Sequence, residues 1–116
     1  MRWFLVIFMV FATTAHAQRA TDAAAASLRI LDRTTGQLED VLVPRGQAVR
    51  MGQLTVTMHQ CRYPRRAINS DAYAYLTVND DQLGKQIFSG WMVASSPGLN
   101  ALEHARYDVW VLRCRT

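Results

Sequence analysis

From Leu28 to Cys114 the apolar positions recur at every second residue and no stretch repeats at three and four, so the pattern predicts short strands separated by turns. Residues 28–32 form a first strand, closed by Thr34-Thr35-Gly36. Residues 39–43 form the next and stop at Pro44-Arg45-Gly46, where Pro lacks a ladder donor and Gly permits positive φ, so the two read as a hairpin. Residues 48–51 lead through Gly52 into 53–61, the clearest alternation: Leu54, Val56 and Met58 point one way, and Thr55, Thr57 and His59 the other. Strict parity then places Cys61 on the polar face. An interior partner for it requires a bulge near His59-Gln60, or a Thr face that is itself half covered. After a polar loop over 62–71 come strand 73–79, a turn at 80–84 and strand 86–94, broken by Ser95-Ser96-Pro97-Gly98. One helical turn is expected over 99–104, with Ser96 or Asn100 as its cap. The last strand, 107–114, sets Tyr107, Val109 and Val111 against Trp110, Leu112 and Cys114; apolar on both faces, it is expected centrally in the sheet. About seven short strands without a helical pattern predict an all-β fold, a small antiparallel β-sandwich or barrel.

A different pattern opens the chain. Arg2, the apolar run 3–12 and Ala15-His16-Ala17 read as a secretory signal peptide over 1–17, with the mature protein beginning at Gln18. A membrane span needs about 20 apolar residues, roughly twice this run, and no Cys follows to accept a lipid. The Ala-rich stretch 18–27 is expected to be a flexible leader, and 28–116 a single β-domain. Export places the chain in the periplasm. It takes nucleotide cofactors and nucleic acid out of consideration, and leaves peripheral membrane contact open. No cofactor is expected.

The compartment changes how the two cysteines read. Cys61 and Cys114 are expected to form a disulfide, which a domain of this size needs as a staple. A metal site would recruit His59 and His104, but neither spacing matches the close ligand pairs of structural zinc. Charge adds one candidate surface. Lys and Arg number 13 against nine Asp and Glu, and all but Lys85 are Arg, the residue suited to bidentate contact with carboxylates and phosphates. The only dense cluster is Arg62, Arg65 and Arg66 around Tyr63-Pro64, either a solvated loop or a contact for anionic lipid, acidic glycan or an acidic protein face.

Few constellations carry chemistry. Ser95 or Ser96 with His104 and Asp108 supplies the residue types of a hydrolase triad, but the G-x-S-x-G elbow is absent and a capped turn explains the serines. Glu103, His104, Tyr107 and Asp108 read as a structural polar network in which Asp108 accepts backbone donors and fixes the turn into the last strand. Its alternative is a proton-responsive contact. Asn79-Asp80-Asp81 lacks calcium-ligand spacing and reads as a hairpin tip. Phe88-Ser89-Gly90-Trp91-Met92 is either core or a docking patch, with Trp91 and Met92 as candidate partner contacts beside Arg62, Arg65 and Arg66. Cys61, Cys114 and Trp110 are expected in the core.

The segment Ile87-Phe88-Ser89-Gly90-Trp91-Met92-Val93-Ala94-Ser95-Ser96-Pro97, with Leu99, Leu102-Glu103-His104, Tyr107-Asp108-Val109-Trp110-Val111-Leu112 and Cys114, resembles the signature of domain-of-unknown-function family 2155, small exported proteins of alphaproteobacteria. Leu31-Asp32, Thr35-Gly36, Val43-Pro44-Arg45-Gly46 and Cys61 extend the resemblance over almost the whole mature chain. The family pattern has Pro between the His and the Tyr, where this chain has Ala105-Arg106, a less rigid turn. The resemblance implies a two-cysteine periplasmic domain, with no assigned reaction and no catalytic residues to transfer. Genes of the family often lie near one resembling a small accessory subunit of respiratory NADH:ubiquinone oxidoreductase. The expectation is therefore a non-enzymatic accessory or assembly partner of a larger membrane or envelope complex, such as that respiratory complex on its periplasmic face. The alternatives are a binder of anionic glycan or lipid through the basic loop and, third, a small hydrolase.

Overall fold

The computed structural model describes residues 20–116. The expected signal peptide, 1–17, lies outside the described residues. Eight antiparallel strands form two sheets, and no helix occurs among the described residues. The first sheet runs β1 (Ala20–Asp22), β5 (Leu54–Pro64), β6 (Tyr73–Asp80), β7 (Lys85–Val93). β5 is long enough to carry a second partner, β4 (Ala48–Met51), at its start, while β1 pairs with its end. The second sheet runs β3 (Leu38–Pro44), β2 (Ala25–Asp32), β8 (Tyr107–Arg115).

The period of two decides what lies between the sheets. Along β6, Ala74, Leu76, Val78 and Asp80 are buried, while Tyr73, Tyr75, Thr77 and Asn79 face out half-buried. Ala26, Leu28 and Ile30 of β2, with Val109 and Val111 of β8, supply the opposing layer. Bulges reset the parity in β5 and β8. In β5 the register steps from Met58 opposite Leu76 to Gln60 opposite Tyr75, leaving His59 as the extra residue, and this turns Cys61 inward. In β8 it steps from Val111 opposite Leu28 to Arg113 opposite Ser27, so Leu112 is extra and Cys114 joins the Val111 face rather than the Trp110 face. The two inward cysteines form the Cys61–Cys114 disulfide, which joins the sheets across the core.

Three expectations need correction. β8 is an edge strand and β2 the centre of its sheet, because the outward row of β8, Trp110 and Leu112, is only half-buried. The expected leader is strand from Ala20 onward. Ala23, Ala25 and Ala26 are buried where the chain crosses between sheets, pinned by Ala23 N–H to the Cys61 carbonyl at 2.8 Å. Residues 99–104 make no helical turn. Leu102 plugs the core instead, and Asn100 Nδ2 donates to the Trp91 carbonyl at 2.9 Å.

Opposite the disulfide end, the buried Tyr107 closes the sandwich. Its hydroxyl accepts from Gln53 N–H at 3.3 Å, and it lies where a Cβ on Gly52 would project. Gly52 also has φ +56°, so both backbone and space require glycine there.

Replacing both cysteines by serine closes no loop in the unfolded chain; with the cysteines 53 positions apart, thermal or urea melts are expected to show a loss of about 4 kcal/mol. Gly52→Ala is expected to cost roughly 3 kcal/mol or more, strain and collision together. Gly36→Ala, also at positive φ but with open space around it, should cost only about 1 kcal/mol in the same melts. Equal losses at the two positions would show that the Tyr107 contact contributes nothing.

Candidate functional site

Two buried carboxylates hold the end of the sandwich where Tyr107 sits. Asp80, at the end of β6, accepts from the backbone of Gln82 and Leu83 on one oxygen, at 3.0 and 3.1 Å. Its other oxygen accepts from Gln53 Nε2 and His104 Nε2, both at 3.0 Å. The backbone N–H groups of Arg106 and Tyr107 both donate to His104 Nδ1, so the ring is the Nε2–H tautomer and both nitrogens are committed. Asp32, at the end of β2, takes a two-pronged contact from Arg106 at 2.8 and 3.0 Å, and its Oδ1 also accepts from Thr34 N–H. The His104 hydrogen bond chiefly, helped by the turn amides and Gln53, holds the Asp80 carboxyl down to about 2; the Arg106 hydrogen bond does the same for Asp32. Arg33 completes the strap, reaching the His104 carbonyl and Asp108 Oδ2.

The expected network therefore has other members than those read from sequence. Tyr107 and His104 belong to it. Asp108 pairs with Arg33 instead of accepting backbone donors, a role that falls to Asp32 and Asp80. Glu103 is exposed and makes no polar contact among the described residues. Asp32 and Asp80 each stand just before a turn, a detectable signal. Gln53 and Arg106 reach them from distant parts of the chain.

The triad does not assemble. Ser95 Oγ donates to Asp71 Oδ2 at 2.7 Å, and His104 serves Asp80. No three His, Cys, Asp or Glu side chains converge in a metal-holding arrangement among the described residues.

What the strands do present is a row of rings. Register places Gln60, Tyr75 and Trp91 side by side across β5, β6 and β7, with Thr57, Thr77 and Ser89 in the next row. The bulged His59 stacks edge-on against Tyr75, centroids 5.6 Å apart, and Tyr75 against Trp91 at 5.4 Å. His59 Nε2 lies 2.6 Å from Thr77 Oγ1, and Tyr75 Oη 3.0 Å from Ser89 Oγ, which orient the rings. Trp91 remains 39% exposed. Met92, its neighbour, faces the core at 4% exposure, so it is no contact residue: adjacent strand residues point to opposite faces. The basic cluster divides as well. Arg62 Nε lies 3.1 Å from Asp22 and its Nη2 donates to the Ala20 carbonyl, so it fastens β1, whereas Arg65 and Arg66 are exposed and form no ion pair among the described residues.

Because both aspartates are held below their unfolded values, near 4, the stability they add is present above about pH 4 and is lost as pH falls toward 2. Acid titration of folding should therefore steepen across that window, and Asp32→Asn or Asp80→Asn should flatten it. An unchanged slope in both variants would assign the acid sensitivity elsewhere.

No solved structure matches the chain. It is similar to the Uncharacterized protein RP359 of Rickettsia prowazekii (strain Madrid E), 26% identical over 87 residues, 72% of this chain and 56% of that one. The chain thus spans little more than half the length of that relative. A family model described as "Uncharacterized protein conserved in bacteria (DUF2155)" matches residues 26–114, a span that takes in both cysteines, the Tyr107 strap and the ring row. The chain belongs to that family.

Proposed function

We propose that this domain is a non-enzymatic binding module of the bacterial periplasm, an accessory or assembly partner of a larger membrane or envelope complex. The periplasmic face of respiratory NADH:ubiquinone oxidoreductase is the first assembly to examine. The observation that carries the reading is the ring row His59–Tyr75–Trp91 on the outer face of the first sheet, rigid, half-exposed and rimmed by hydroxyls. Aromatic anchors on rigid strands with polar neighbours are what protein contacts concentrate. The commitment of both His104 nitrogens and of Ser95 to structural bonds supports a binding role over a hydrolytic one. The disulfide fits an oxidising compartment.

The test is native-mass profiling of the tagged protein, extracted in mild detergent from its host's membranes, with identification of what comigrates. Comigration with a large complex is expected. Trp91→Ala should weaken it by about thirtyfold in apparent affinity, a loss of roughly 2 kcal/mol, while the variant's melting curve stays cooperative. Migration alone near monomer mass would overturn the reading.

A further inference from the structure

The topology separates charge along the sandwich. β5, β3 and β8 all finish at the disulfide end, where Pro44 and Arg115 flank Ala25 in the second sheet and Pro64 meets Ala20 in the first. That end collects Arg45, Arg62, Arg65, Arg66, Arg113 and Arg115 against Asp22 and Asp71, the former tied to Arg62 and the latter to Ser95, with Asp40, held by Arg29, at its margin. Everywhere else among the described residues the carboxylates outnumber the cations, and most are paired. The polar loop after β5 reaches β8: Ile68, Ser70 and Asp71 share a shallow cavity of about 210 Å³ with Leu112 and Arg113. That cavity brings the loop that carries Arg65 and Arg66 against the Arg113 end of β8. Arg45, Arg65, Arg66 and Arg113 are exposed and make no ion pair among the described residues.

Two further observations concern that surface. Arg66 occupies the third position of the turn over 64–67, closed by Ala67 N–H to the Pro64 carbonyl, with φ +68°. Glycine is the favoured residue in that conformation, so an arginine here costs the turn some stability. Leu42 is 61% exposed beside Arg113 and Arg115, which gives the cationic end an apolar flank.

We propose that the arginine end of the sandwich, with Leu42 at its flank, seats the domain on an anionic phospholipid surface. The guanidiniums take the headgroup phosphates and Leu42 enters the interfacial region. The ring row then stands on the side of the seated domain, turned toward neighbours in the same membrane. This rests on the envelope reading above and adds which end meets the bilayer.

Sedimentation of the protein from Gln18 onward with vesicles tests it, comparing phosphatidylcholine alone with phosphatidylcholine plus phosphatidylglycerol. Binding is expected to require the anionic lipid and to weaken with salt. Each neutralised arginine should lower partition about fivefold, so Arg65→Ser with Arg66→Gly should lower it roughly 25-fold. The melting point should hold or rise, because glycine relaxes the turn. Leu42→Asn should weaken binding as well. Arg50→Gln with Lys85→Gln, the same charge removed from the other end, should leave it unchanged. Three outcomes overturn the proposal: equal loss in that control, which would make net charge the cause; equal binding to both vesicle types; or no effect of Leu42→Asn together with full competition by soluble polyphosphate, which would indicate an acidic-polymer site. The vesicles contain no protein, so Trp91→Ala should be silent here, and failure of this test leaves the comigration experiment to judge the partner reading separately.

Discussion

The bulge at His59 is the constraint on which the rest of the domain depends. A strand shows alternate residues to alternate faces, and one inserted residue exchanges the two sets beyond it. Before the bulge β5 contributes Leu54, Val56 and Met58 to the core; after it Cys61 takes their place. Without that exchange the sulfur would point away from β8, and no disulfide could cross the core between the two sheets. His59 faces outward by parity already; the insertion sets Gln60 opposite Tyr75 and leaves the His59 ring edge-on beside it.

The two ends of the sandwich are closed by unlike means. One has a disulfide, indifferent to pH and salt. The other has a strap from 99 to 106 held by three carboxylates, an imidazole, two guanidiniums and a tyrosine hydroxyl. Burying Asp32 and Asp80 is tolerable because every oxygen has at least one donor, several of them backbone amides that would otherwise be orphaned at the turns. Pairing at that end neutralises it, and the arginines at the other are left as the domain's uncompensated charge.

Much of this was legible in the residues, and the gaps have physical reasons. The β5 bulge could be read because an alternation of apolar and polar side chains makes a cysteine of the wrong parity visible. The β8 bulge could not, since Trp110, Val111 and Leu112 are apolar on both sides of the insertion and a change of face leaves no trace. The strand β1 and the first residues of β2 were hidden by alanine, which has little strand preference and shows no periodicity, yet is the side chain small enough for the space between the sheets. The helical turn expected near Asn100 lost to a tertiary bond with the Trp91 carbonyl. Arg106 was passed over as part of a departure from the family pattern, and its partner Asp32 lies 74 residues away, beyond any local signal. Trp91 and Met92 could have been separated at once, because neighbours in a strand do not share a face.

That bond from Asn100 has a further effect. β7 borders its sheet, and a border strand offers unpaired carbonyls and amides as a template on which another chain can build. The Asn100 amide occupies the carbonyl of Trp91 and lies so close to Gly90 that only glycine leaves room for it. The outward carbonyl of Trp91 is thus closed to a neighbouring chain. Association at this border is thereby steered away from open-ended ladder growth and toward contacts made by side chains.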